Sequence, residues 1–224
     1  ATLTTSDLEN EYVRPTQRAT YKFFALAMIL FLLQVLAGMT TVTDFVRPFG
    51  IYLGDIIPFT VARSYHTLFQ IFWFFMCWVG YTIYFLPRLS KVPPGQKFLI
   101  NLLFTLCIVV GAGALVGIYL GQMGILTGSA AYWFGSQGWE FMELGRAFQL
   151  LLLVGFALWI LIIYRGVKPW LTRKNLWSVP SWLLYGSGIM VLFLFFGILV
   201  SPEANFAISD YWRWMVVHMW VEVT

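Results

Sequence analysis

His218 and Glu222 stand four residues apart in the run Asp210-Tyr211-Trp212-Arg213-Trp214-Met215-Val216-Val217-His218-Met219-Trp220-Val221-Glu222. On a helix that spacing puts both side chains on one face, one turn apart. Ionisable groups in an apolar membrane helix are expensive and mark a use. A neutral imidazole beside a carboxylate is a ligand set for iron or zinc. An interhelical polar pair and a proton relay through the same two groups are the competing readings. The run opens polar and aromatic, like an interface anchor. It reaches Thr224 after about half of the ~20 residues a span needs, so the expectation is a chain that ends inside the bilayer as part of a larger protein.

The chain contains one other histidine, His66, between Tyr65 and Thr67 near the start of an apolar run. Taken alone it reads equally as a histidine bonded to a neighbouring hydroxyl or carbonyl and as a ligand. Two histidines placed alike favour a shared prosthetic-group layer. A third candidate is Gln137-Gly138-Trp139-Glu140-Phe141-Met142-Glu143-Leu144-Gly145-Arg146. On a helix, Glu140 and Glu143 share a face. Solvated acids, a calcium ligand and a proton entry point are the three readings.

The elements that must carry these groups are membrane helices. The chain is 60% hydrophobic and 11% charged, against roughly 25% charged in soluble domains. It reads as one all-α integral membrane domain over residues 1–224: a polar lead over 1–20, then five full spans and a truncated sixth. The spans are expected at Tyr21–Val42, Phe59–Leu86, Phe98–Leu120, Leu144–Tyr164 and Trp182–Val200, with the sixth starting near Asp210. Pro15–Arg18 reads as a turn, Gly121–Glu143 as a long loop, and Pro87, Pro93 and Pro94 as breaks. Gly111, Ala112, Gly113, Ala114 and Gly117 suit close helix contact. Cys77 and Cys107 fall mid-span, as small core residues rather than a disulfide or thiolate site. The net charge of +4 lies in loops and is no signal for nucleic acid.

Lysine and arginine favour the cytoplasmic side. Arg14, Arg18 and Lys22 precede the first span. Arg88, Lys91 and Lys97 follow the second, and Arg165, Lys168, Arg173 and Lys174 follow the fourth. The other end holds Arg47, Arg63, Arg146 and Arg213. The amino terminus is therefore expected in the cytoplasm. Both histidines then enter from the outer face, roughly 7 and 12 Å deep at 1.5 Å per residue.

With these stretches in view, the chain resembles the quinol-dependent nitric oxide reductases, a bacterial cytoplasmic-membrane branch of the haem–copper oxidase superfamily active in denitrification. The matching stretches are Pro15-Thr16-Gln17-Arg18-Ala19-Thr20-Tyr21-Lys22, Ile57-Pro58 through Arg63-Ser64-Tyr65-His66-Thr67, the Gln137–Arg146 motif, and Trp212-Arg213-Trp214 through His218-Met219-Trp220-Val221-Glu222. They occur in the family's order. The resemblance implies that His66 is an axial ligand of a low-spin haem b. It implies that His218 and Glu222 are two ligands of a non-haem iron facing a high-spin haem b. Glu140 matches an acid near the haem propionates where the family can hold calcium, and Glu143 a nearby acid linked to proton access. The remaining ligands are expected beyond Thr224. Nitric oxide is the implied substrate; the bilayer, the rest of the membrane domain and a homodimer are the implied partners.

One departure separates two reactions. The quinol enzymes carry a His-x-x-x-Glu pair that holds quinol, where this chain reads Met39-Thr40-Thr41-Val42-Thr43-Asp44-Phe45-Val46-Arg47-Pro48-Phe49. No histidine is present, and only Asp44 stands for the acid. Ser136 also replaces a histidine often found before Gln-Gly-Trp. A member of that branch without a quinol site resembles the proposed nitric oxide dismutases, which convert two NO into N2 and O2. Reduction to N2O is the alternative. A proton-coupled transporter, which would purify without haem absorbance, and a haem b electron-transfer subunit, which would hold no non-haem iron, are more distant alternatives.

Overall fold

The computed structural model describes residues 14–136, 138, 142–201 and 203–223. Among them lie eight α-helices: α1 Pro15–Arg18, α2 Tyr21–Val42, α3 Phe59–Leu89, α4 Gln96–Gln122, α5 Gly128–Phe134, α6 Arg146–Val167, α7 Val179–Ile198 and α8 Phe206–Val223. Five spans are long and apolar enough to cross a membrane. In lipid an apolar helix satisfies its own backbone, which is why long apolar runs take this form.

The second span is the hub. Half of α3's most apolar window is buried inside the bundle, against 17% for the first span. Helix α3 packs along α2 and also touches α4 and α6, while α7 joins α6 to α8. At the centre, the Phe75 ring meets Phe156 at 5.1 Å and Trp220 at 4.7 Å. Trp220 donates Nε1–H to the Met190 carbonyl at 3.1 Å, and Trp159 donates to Thr82 Oγ1 at 2.9 Å. These rings fix which side of α8 faces the bundle: Val216 and Trp220 are buried.

Several features depart from the sequence expectations. Pro15–Arg18 is a short helix, not a turn. Pro87 does not end the second span, which runs on to Leu89. A proline in a final turn removes one N–H where few bonds remain to be made. Arg14 and Gln17 reach this end, donating to the Pro87 and Tyr84 carbonyls at 3.1 and 3.2 Å. Third, the loop after α4 contains α5, and α8 begins at Phe206 rather than near Asp210.

Glycines on α4 draw that loop in. A Cβ on Gly117 would run into the Phe134 carbonyl oxygen, and one on Gly121 would lie 2.6 Å from the Ser136 nitrogen. These residues, four apart, form one face against which the backbone of 134–136 lies. The chain then passes Gly138 to reach Glu143 at the head of α3. Cys77 and Cys107 are free thiols.

Candidate functional site

Glu143 is the deepest charged group at the head of the bundle, 2% exposed. Its Oε1 lies 3.1 Å from Arg63 on α3 and 3.5 Å from Arg213 on α8. The second guanidinium nitrogen of Arg63 donates to the Gly138 carbonyl at 2.8 Å. Glu143 adopts φ +52°, a conformation few side chains take and one held only where surroundings fix it. Two arginines on one carboxylate supply that constraint. They also register α3 against α8, because each contributes one arginine to the same oxygen.

That register places the histidines. His66 is three residues beyond Arg63 and His218 five beyond Arg213. At 1.5 Å per residue they lie about 4.5 and 7.5 Å below their arginines, a difference of about 3 Å. Both helices start at this end of the bundle. Counted instead from the helix starts, Phe59 and Phe206, the depths are about 10 and 18 Å; the early start of α8 makes that measure misleading.

His66 is oriented from outside its own helix. Its Nδ1 lies 2.8 Å from the Gln34 carbonyl oxygen on α2. A carbonyl only accepts, so Nδ1 carries the proton and Nε2 the lone pair. Gly38, one turn on, makes room: a Cβ there would stand 2.9 Å from His66 Cε1 and Nδ1. A histidine whose far nitrogen is tied to a backbone carbonyl is the usual arrangement of a metal ligand. Arg63, His66, Gln70 and Trp73 follow each other at helical spacing on one side of α3. Arg63, Gln70 and Trp73 line a cavity of about 250 Å3 between α3 and α8, with Phe74, Arg213 and Trp220 among the other walls. Within it, Glu143 Oε2 and Trp73 Nε1 are buried with no hydrogen-bond partner among the described residues. An aromatic slot with two arginines at one end and unpaired polar atoms inside suits a flat group bearing carboxylates; His66 is not among its walls, its ring lying against α2.

His218 and Glu222 are both exposed. With Trp214 they form an i, i+4, i+8 stripe on the side of α8 turned away from Val216 and Trp220. The structure therefore does not bring His66 together with His218 and Glu222. Among the described residues, no three histidine, cysteine, aspartate or glutamate side chains converge on one point. The pair still fits two ligands delivered from one helix. Glu140, the calcium candidate, lies outside the described residues.

A second cavity, about 50 Å3, lies between α3, α4, α6 and α8 beside Trp220. Its walls include Phe75, Met142, Phe156 and Trp159 and hold no charged side chain. Arg63, Arg213 and the Gln34–Gly38 pair are the residues that sequence reasoning passed over. The available signal was that each histidine helix carries an arginine in its first turns, at an end holding few basic residues.

The fold belongs to a known class. The family described as Cytochrome C and Quinol oxidase polypeptide I matches residues 18–224, and the chain belongs to it. Within that class it is similar to a nitric oxide reductase polypeptide of Stutzerimonas stutzeri, at 28% identity over 212 residues. The match covers 92% of this chain and 42% of that relative, so the chain spans under half the length of the curated protein it matches.

Proposed function

We propose that this chain is the amino-terminal part of the membrane subunit of an oxidoreductase that converts nitric oxide, with further membrane helices as its immediate partner. The shared Glu143 carries the reading. It ties the helix of a pre-oriented His66 to the helix of His218 and Glu222, which is what two metal groups at one level require. His66 would hold a low-spin haem b through Nε2, with Arg63 and Arg213 toward its carboxylates. His218 and Glu222 would give two ligands to a non-haem iron beside a high-spin haem b, and the carboxylate among them favours iron over copper. When bound, that pair of metals supplies adjacent sites for two NO molecules, and proximity does much of the work of coupling them. The apolar cavity beside Trp220 suits a small uncharged diatomic. Glu143, with Oε2 unpaired, is the group for proton access, and Glu140 for calcium.

Between the two reactions we favour dismutation, 2 NO → N2 + O2, over 2 NO + 2 e⁻ + 2 H⁺ → N2O + H2O. Residues 39–49 offer no histidine to quinol, and only Asp44 stands for the acid. The complete enzyme should release labelled N2 and O2 from labelled NO without reductant. Inertness until quinol is added, followed by N2O alone, would assign it to the quinol reductases. The lysine and arginine asymmetry supports an amino terminus in the cytoplasm of a bacterial cell; cysteine labelling that finds residues 88–97 outside overturns that orientation.

A further inference from the structure

The end of the bundle opposite Glu143 carries ten lysines and arginines, and among the described residues it carries no aspartate or glutamate. Topology signals alone would scatter such charge. Here part of it converges. Arg18, Lys22 and Lys97 line one open groove of about 440 Å3, together with Tyr21 and Asn101, where the starts of α2 and α4 meet. Lys22 is fixed rather than free-swinging. Its ammonium donates to Asn101 Oδ1 at 2.6 Å and sits 4.6 Å from the centre of the Phe104 ring. One bond leaves two of its three donors unspent on Asn101. The Phe104 ring also meets Phe23 on α2, at 5.1 Å.

The surroundings are those of a lipid headgroup. Tyr21 and Phe98, 76% and 68% exposed, stand at the level where aromatic side chains meet the interface. Exposed apolar side chains continue away from the groove along both helices: Met28, Ile29 and Leu32 on α2, Leu102 and Val109 on α4. A ligand with an anionic head and apolar tails matches both parts at once; a soluble anion matches only the first.

We propose that this groove binds the phosphodiester of an anionic glycerophospholipid, with Lys22 and Lys97 as its principal partners. The inference does not depend on the proposed reaction, since the groove lies at the other end of the bundle from Glu143. Basic pockets between membrane helices on the cytoplasmic side hold such headgroups.

The test is native mass spectrometry of the full-length protein, purified in detergent and titrated with phosphatidylglycerol. The Lys22→Gln/Lys97→Gln variant should bind it roughly thirtyfold more weakly, the loss expected for two such residues. An Arg173→Gln/Lys174→Gln variant, with charge removed elsewhere on the same face, should bind as before. The Lys22→Arg/Lys97→Arg variant should retain binding, which separates lost charge from lost folding. Equal weakening in both glutamine variants would mean diffuse attraction and overturn the site. Displacement by millimolar inorganic phosphate would reassign the groove to a soluble anion. Capture that appears only after neutralising Asp7, Glu9 and Glu11 would make the chain's own acidic lead the occupant, and would also overturn the proposal.

Discussion

His66 and His218 sit on helices clamped to the same carboxylate, yet their surroundings are opposite. His66 is pressed against α2, with Nδ1 on the Gln34 carbonyl and Gly38 cut away to admit the ring. His218 stands with Glu222 on an exposed stripe and bonds to nothing among the described residues. Two ways of preparing a ligand are on view. One fixes tautomer and ring orientation before any ligand arrives, through a backbone group that cannot be mutated. The other supplies only spacing, and leaves orientation to whatever covers α8. The first should fail when its packing is disturbed, the second only when its own side chains change.

Breaking the clamp should have the largest effect, because it removes what the two regions share. We predict that Glu143→Ala destabilises the protein by about 2 to 3 kcal/mol in urea unfolding. A fully buried pair would lose more, but Arg63 reaches solvent. A loss under about 0.5 kcal/mol would mean that the ion cluster does not register α3 against α8. Next comes Gly38→Val, which drives a methyl group into the His66 ring. We expect about 1 to 3 kcal/mol from overpacking and loss of the low-spin haem absorbance, as for His66→Ala, with the high-spin signal kept. Unchanged spectra would show that Gln34 and Gly38 do not orient a ligand.

The α8 stripe should behave differently. For Glu222→Ala we predict at least a tenfold fall in non-haem iron, on the scale of weakened metal sites, at constant haem content. The unfolding free energy should move by under about 0.5 kcal/mol, as for an exposed side chain. Copper in place of iron, or instability like that of Glu143→Ala, would erase the contrast between the two histidines. The smallest effect lies outside both regions. The Asp44 carboxylate holds the Tyr52 phenol above its ordinary range. A proton held more firmly when folded stabilises the fold below the ordinary tyrosine pKa, and that contribution is lost as pH rises through the raised one. Asp44→Asn should therefore lower the pH at which the Tyr52 phenolate band appears. An unmoved titration would free Asp44 for a quinol.

The helices were legible because each is written locally. The first span ends where its apolar run ends, Tyr21–Val42. Errors arose where a distant contact overrode a local signal. Pro87 reads as a breaker, but the first turns of the chain lie against that helix end. The helix Gly128–Phe134 has no long apolar stripe; its backbone is drawn in by glycines on α4. The site divides the same way. His218 and Glu222 announce themselves by spacing within one helix. The orientation of His66 depends on a carbonyl 32 residues away, and the Arg63–Glu143 pair on a separation of 80. No pattern in a single sequence encodes either.

Arg146 adds a matter of timing. Its guanidinium, at the start of α6, bonds the Ile198 carbonyl and the Val200 carbonyl at the end of α7. Those acceptors are made 52 and 54 residues later. At about 5–20 residues per second of synthesis, the arginine waits about 3 to 10 seconds for them. During that interval a charged group stands at the end of an apolar helix with only Tyr132 and Gln149 at hand, its two carbonyl partners not yet synthesised. The two helices should therefore leave the insertion machinery as a pair. In nascent chains halted after residue 170, α6 should still crosslink to the insertion machinery, whereas in those halted after residue 223 that crosslink should be lost. Release of α6 alone into the bilayer would show that Arg146 finds other partners first.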